Sequence, residues 1–456
     1  MQDNDQTMPS LSPSRRVFLG AATAAAYGRV LGANDRVRIG FIGCGLIGLR
    51  HIADFKLLKD ADLVAVSDVH KPRLERAQAD CGTSPKGYAD FRKMLDDKNV
   101  DAVIISTPDH WHALQSIMAC AAGKDVYVEK PMTLFVKEGR WMTTAARRYK
   151  RIVQGGTQGR SGAHFKEVLE LIAAGHIGKI HAIRTGSTRN IMPGFGNPPD
   201  SDPPPDIDYD LWLGPAPKRP YNRNRALYNF RWFWDYSGGQ MTNLGAHDID
   251  LVHYVLKAKS PKAVYSSGGR FCVQDNGETP DVQDAIIEYP DFNIVITIRE
   301  ASAGRRMGGG TELFGTKGSM TVGRGGFEVF PDLTIPAERQ IPPWSNPPGH
   351  PQPADIKPEP RTQAKKAGNP SNEPLARHAQ NWLDCIKSRQ MPISDVEQGH
   401  MVSISCHLAN ISLRLGGRKL RWDPVKEDVI GDREASAMLV RPYRKPWDDV
   451  LRSFKL

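Results

Sequence analysis

The sequence predicts an α/β chain with two architectures in series. A parallel sheet with helices on both faces comes first, then an α+β unit built on an open, mostly antiparallel sheet. Three observations carry this reading. Apolar strand-like runs alternate with helical segments from Val37 to about residue 156, a pattern that closes through crossover helices. A turn rich in glycine ends the first of these strands. Beyond residue 157, strand-like runs follow one another with few helices between them, which is the grammar of antiparallel pairing.

The elements follow in order. V-R-I-G-F-I from Val37 is a strand, a helix begins near Leu46, and L-V-A-V-S is the second strand. Y-A-D-F-R-K-M-L has the periodicity of an amphipathic helix. D-A-V-I-I-S-T-P, the helix H-A-L-Q-S-I-M-A-C-A-A-G, the strand D-V-Y-V-E-K-P, the helix R-W-M-T-T-A-A-R-R and the strand R-I-V-Q-G-G-T complete the first unit, placed at 35–156. The second unit, 157–425, opens with the helix H-F-K-E-V-L-E-L-I-A-A-G and the strand K-I-H-A-I-R-T. An irregular stretch rich in proline and aromatics spans about 190–236. Strands are expected at A-V-Y-S-S-G-G-R-F, Q-D-A-I-I-E-Y, F-N-I-V-I-T-I-R-E and T-E-L-F-G-T-K-G-S-M-T-V. Residues 331–375, dense in proline and charge, predict a surface loop. Helices near 376–390 and 396–416, and a tail at 426–456, are expected to pack back onto the body.

Residues 1–34 carry a different signal. Ser14-Arg-Arg-Val-Phe-Leu19 precedes a short run of small apolar residues, the pattern of a twin-arginine export leader, with cleavage after Ala26 or Ala33. That run is too short to span a bilayer, and no later stretch is long enough, so no stable membrane insertion is expected. The expectation is a periplasmic or otherwise exported protein. Of 456 residues, 40% are hydrophobic and 25% charged, which fits a globular chain of about two domains. The net charge of +10 is scattered rather than striped and accompanies no nucleic-acid-binding motif, so no nucleic-acid partner is expected. The six cysteines include no C-x-x-C pair, and no structural disulfide is expected.

Four constellations carry chemistry. Gly43, Gly45 and Gly48 form G-x-G-x-x-G at the end of the first strand. The first glycine permits a tight turn, the second admits a pyrophosphate to the backbone, and the third lets helix and strand pack closely. Amides of the helix start, at Leu46 and Ile47, would hold phosphates. Asp68, twenty residues past Gly48, is placed to bind ribose hydroxyls. The cofactor expected is NAD, tightly bound, with NADP kept open by nearby Lys71 and Arg73. The second constellation, Thr107-Pro-Asp-His-Trp-His112, closes a strand where the ligand crevice lies, so Thr107 and Pro108 face the cofactor. His112 either caps the next helix or touches the nicotinamide end. The third is Glu129-Lys130-Pro131, whose lysine would sit beside the nicotinamide and stabilise an alkoxide. The fourth is Ser237–Asp250, in which Asn243, His247 and Asp250 fall at spacings of four and three, on one face if helical. A neutral His247 could take a hydroxyl proton there. His247, Asp250 and His253 spread over too wide an arc for one ion, and no metal is expected. Eight aromatics between 211 and 236, interleaved with arginines, suit sugar rings, an interface or their own packing; Arg231 and Trp234, with Asn243 and Asp250, are the candidates for substrate contact.

Taken together, G-C-G-L-I-G, T-P-D-H-W-H, E-K-P and G-G-Q-M-T-N-L-G-A-H-D-I-D resemble the Gfo/Idh/MocA oxidoreductases, over nearly all of the chain after Asn34. The resemblance implies a Rossmann domain plus an α/β domain whose open sheet builds a homodimer or homotetramer. It also implies NAD(P)-dependent hydride transfer at a ring hydroxyl of a sugar or glycoside, with Lys130 and His247 as catalytic residues. Asn243 stands where many sugar dehydrogenases of the family have aspartate. A related branch, the NAD-dependent glycoside hydrolases, is similar in its leader and in this asparagine. There, transient C3 oxidation acidifies C2–H, elimination expels the aglycone, and water adds before the hydroxyl is restored. A non-catalytic sugar-binding protein that keeps a nucleotide is the third alternative.

Overall fold

The computed structural model describes residues 35–304, 310–334, 358–369 and 374–456. The leader lies outside the described residues. Six strands form the first sheet: β1 (Val37–Ile42), β2 (Ala61–Ser67), β3 (Lys86–Tyr88), β4 (Ala102–Ile105), β5 (Asp125–Val128) and β6 (Val153–Gly155). Every pairing is parallel and the order is β3-β2-β1-β4-β5-β6, that of a Rossmann sheet. The direction of winding reverses at β1, so a crevice opens beyond the carboxyl ends of β1 and β4, where the glycine turn and Thr107 stand. The central strands β1, β4 and β5 are mostly apolar and buried because helices cover both faces.

The second sheet has ten strands. They are β7 (Ile180–Thr188), β8 (Ala263–Gly269), β9 (Val282–Glu288), β10 (Asn293–Arg299), β11 (Thr311–Gly315), β12 (Gly318–Gly323), β13 (Gly326–Pro331), β14 (Lys365–Gly368), β15 (Leu420–Asp423) and β16 (Asp428–Val429). Their order is β14-β13-β12-β11-β7-β10-β9-β8-β15-β16. All neighbours are antiparallel except β7 and β10. Period-two alternation turns Ile183, Ile287, Ile296, Leu313 and Met320 onto the helices Gly245–Leu256 and Val396–Arg414. The opposite face leaves Tyr265, Ile286, Val295 and Phe330 exposed.

The β-rich segment T-E-L-F-G-T-K-G-S-M-T-V is a hairpin of two strands turning at Thr316–Lys317. Two details depart from the sequence reading. The segment 331–375 contributes β14, which pairs with β13. The helix Pro374–Ser388, assigned to the second unit, instead buries Trp382 and Leu383 against Phe41, Phe55 and Tyr127 of the first. The tail does likewise, with Tyr443, Trp447 and Phe454 joining the cluster around Phe91 and Trp111. All six cysteines are free, and all but Cys272 are buried. Among the described residues no helix is long and apolar enough to cross a membrane.

Buried histidines make acid a stress on this fold. Burial, the chief cause in each case, pushes His110 and His253 down to about 3, and His378 and His407 down to about 4. Below about pH 6.5 the unfolded chain takes up protons that the folded chain refuses, so stability falls as pH falls through this window. Each such histidine contributes up to about 1.4 kcal/mol per pH unit until its folded value is reached. Thermal unfolding at pH 7 and pH 5 is therefore expected to show a clear drop in Tm; equal midpoints would contradict it.

Candidate functional site

The β1 turn is shaped by what a side chain would strike. Gly43 has φ +87°, and a Cβ there would stand 2.7 Å from the Thr107 amide nitrogen. A Cβ on Gly48 would lie 2.1 Å from the Gly43 carbonyl oxygen, a backbone atom that cannot step aside. Gly48→Ala is therefore expected to open the turn and weaken nucleotide binding at least tenfold, which takes only ~1.4 kcal/mol of distortion. A calorimetric titration with NAD checks this, and unchanged affinity would refute it. Asp68 sits at the end of β2, where its Oδ2 accepts from the Cys44 amide at 2.7 Å and its Oδ1 from the His70 amide at 2.8 Å. The expected ribose ligand thus also ties down the glycine turn.

The turn opens into a cleft of about 390 Å³. Gly43, Gly45, Leu46, Ile47, Asp68, Thr107, Pro108, His112, Glu129, Lys130, Arg231 and His247 all line it. His112 acts differently from a simple contact. Its ring nitrogens lie 2.7 and 2.8 Å from the carbonyl oxygens of Pro131 and Thr107, so the ring staples the loops after β4 and β5. Glu129 is held from beneath: Oε1 is 2.8 Å from both His51 Nε2 and Gln158 Nε2, and Oε2 accepts from the Lys130 amide.

Lys130 Nζ donates to the carbonyl oxygen of Asn243 at 2.9 Å and to its side-chain Oδ1 at 2.8 Å. Burial pushes this ammonium below its ordinary value, against the pull of Glu129. Asn243 and His247 do not share one unbroken helix. A short helix, Gly239–Asn243, stops at Leu244, and His247 lies in the first turn of the next, Gly245–Leu256. Both nonetheless reach the same region, Asn243 through Lys130 and His247 through the cleft wall. Burial first, then the charges of Lys130 and Arg324, holds His247 well below the usual histidine range, so the ring is neutral near pH 7. No described side chain hydrogen-bonds to it.

Two expected substrate contacts are corrected. Asp250 does not face the cleft: it takes a bidentate ion pair from Arg160, with contacts of 2.7–3.0 Å and both side chains 3% exposed. Three residues beyond His247 on the same helix, it lines a second cavity of about 180 Å³, whose wall His247 shares. Trp234 is also off the cleft, lying beneath the Arg414 guanidinium at 4.9 Å. The loop around it folds on its own aromatics, burying Trp212, Tyr221, Phe230, Trp232, Phe233 and Tyr236. Only its edge, including Tyr228, Phe230 and Arg231, reaches the cleft.

Sequence reasoning missed Arg324, at the turn between β12 and β13, which lines both cavities. Its signal was G-R-G-G, a cation on a tight turn between two strands. It also missed Asp109, buried in the cleft wall and hydrogen-bonded by the Ser237 hydroxyl.

A family model for an oxidoreductase family with an NAD-binding Rossmann fold, Gfo/Idh/MocA, matches residues 37–157. The model for the C-terminal alpha/beta domain of that family matches residues 191–268 and 357–449. The chain belongs to the Gfo/Idh/MocA oxidoreductase family. The cleft of this Gfo/Idh/MocA chain fits a dinucleotide. Gly45 leaves the helix start bare, and Ser106 Oγ, buried at the cleft wall, has no hydrogen-bond partner among the described residues. The chain is 29% identical over 252 residues to the myo-inositol 2-dehydrogenase of Thermotoga maritima, covering 55% of this chain and 64% of that one. It thus spans less than two thirds of that relative. It is 32% identical over 154 residues to a glycosyl hydrolase family 109 protein of a Shewanella species, covering 32% of this chain and 34% of that protein. In fold it is similar to the WlbA dehydrogenase of Bordetella pertussis, solved with NADH and UDP-GlcNAcA. The TM-score there is 0.61 at 20% identity, with 85% of this chain and 99% of that one covered.

Proposed function

We propose that this chain oxidises or reduces a ring hydroxyl of a sugar or glycoside by NAD(P)-dependent hydride transfer. The observation that carries the reading is that Lys130 and His247 line the same cleft as the glycine turn. Gly43, Gly45, Ser106 and Asp68 would hold the nucleotide, which supplies a hydride acceptor or donor at its nicotinamide ring. His247, neutral and without a hydrogen-bond partner among the described residues, accepts the hydroxyl proton. The Lys130 ammonium, aimed by Asn243, steadies the negative charge that grows on that oxygen. Asp68 favours NAD by repelling a 2′-phosphate, while Arg73 lines the same cleft and makes a titration with both nucleotides informative. His247→Asn is expected to lower kcat/KM by roughly 10²–10⁴-fold with nucleotide affinity unchanged. Wild-type turnover would overturn the assignment.

A second reading, glycoside hydrolysis through transient oxidation, is favoured by Asn243 and by the glycosyl hydrolase family 109 similarity. It would use the same residues. An aryl glycoside separates the two: free phenol without net NADH supports the hydrolase, and accumulating NADH or keto-sugar supports the dehydrogenase.

Export and self-association belong to the same proposal. The Ser14–Leu19 pattern supports twin-arginine export with the nucleotide already bound. The exposed apolar residues of the open sheet support a homodimer or homotetramer.

A further inference from the structure

Four cations line the cleft, Arg73, Lys130, Arg231 and Arg324, against three carboxylates, Asp68, Asp109 and Glu129. Arg231 and Arg324 both line it, and among the described residues neither side chain hydrogen-bonds to a carboxylate. Arg231 donates to the Tyr228 carbonyl oxygen, and its guanidinium lies 4.9 and 4.7 Å from the rings of Tyr228 and Phe230. Several other arginines of the second unit are paired: Arg160 with Asp250, Arg219 with Asp235, Arg225 with Asp200, Arg299 with Asp284.

The carboxylates that line the cleft accept hydrogen bonds from other groups and from neither arginine. Asp109 receives the Ser237 hydroxyl. Glu129 is taken by His51, Gln158 and the Lys130 amide. Asp68 is taken by two backbone amides at the glycine turn. Lys130 rests on the neutral oxygens of Asn243, so its charge is not cancelled where it lands. A pyrophosphate held at the turn Gly43–Ile47 would meet Arg73, which stands beside Gly45. Beyond the effect of burial, Arg231 and Arg324 lower Lys130 while Glu129 and Asp109 raise it.

We propose that the sugar carries an anionic group, a carboxylate or a phosphate, and that Arg231 and Arg324 bind it beside Lys130 and His247. A guanidinium is planar, weakly hydrated and matched to both groups as a two-pronged donor. A narrow cleft with apolar walls focuses its field on such a ligand. This rests on the sugar-oxidoreductase reading and specifies which sugars it takes.

The test uses the NAD-loaded protein. Binding and turnover are measured for methyl glucuronide, glucose 6-phosphate and the neutral methyl glucoside, at low and raised salt. One charged ligand is expected to bind at least about tenfold tighter than the neutral one, the size of a single charge-assisted hydrogen bond. Which of the two wins identifies carboxylate or phosphate. The advantage should shrink with salt, vanish in Arg231→Gln and Arg324→Gln, and survive in part in Arg231→Lys. Unchanged NAD affinity in these variants shows that they remain folded. Equal affinity for charged and neutral sugars, with turnover intact, overturns the anionic substrate and leaves the oxidoreductase reading standing. Binding or turnover of no sugar, with NAD bound, overturns both.

Discussion

Lys130→Met is expected to reduce turnover by roughly 10²–10³-fold while leaving nucleotide affinity near that of the wild type. The size follows from removing one preorganised donor aimed at a developing oxyanion. The selectivity follows from position: Lys130 Nζ is fixed on Asn243, whereas the glycine turn and Asp68 at the far end of the cleft do not depend on it. Methionine keeps the stem's bulk and removes the charge, so what changes is chemistry rather than packing. The loss should fall mainly on kcat, because the interaction strengthens as the alkoxide forms. A stopped-flow record of NADH formation, beside an NAD titration, gives both numbers. Turnover at the wild-type rate would remove Lys130 from the mechanism. A parallel loss of nucleotide binding would make it a structural support instead.

Arg160→Met is expected to destabilise the fold by about 3–5 kcal/mol, because it strands the Asp250 carboxylate in the interior without a counter-charge. The pair is nearly closed to solvent, and Arg160 also donates to the Ile393 carbonyl oxygen and to Gln398. Asp250 therefore anchors the helix that carries His247 to the short helix at Gln158–Ser161 and the start of Val396–Arg414. Replacing both partners, as Arg160→Met with Asp250→Leu, should recover much of the lost stability, since an apolar pair carries no desolvation cost. Urea midpoints for the single and double variants check the coupling. Turnover in the double variant then tests Asp250 itself. A KM close to wild type fits an anchor, and a lost KM in a well-folded double variant would restore Asp250 as a substrate ligand.

The legible part of the site was the part written in contiguous residues. Gly43 and Gly48 state a backbone conformation that a side chain at either position would block. Lys130 was legible because it closes a strand whose end faces the crevice. Asp250 misled because its spacing from His247 satisfied a helical face, while the buried Arg160 decides what its carboxylate meets. Trp234 misled because an aromatic-rich loop can serve a ligand or its own core, and composition does not separate the two.

By itself the sequence determined the strand and helix alternation, the glycine turn and the identity of the chemical groups, because these depend on neighbours along the chain. Only the tertiary structure decided which distant groups meet. Lys130 finds Asn243 across 113 residues, Arg324 reaches the cleft from a hairpin tip, and the helix Pro374–Ser388 crosses back to cover the first sheet. The physical reason is that such contacts are chosen by burial and charge matching over the whole fold, and no local period records them.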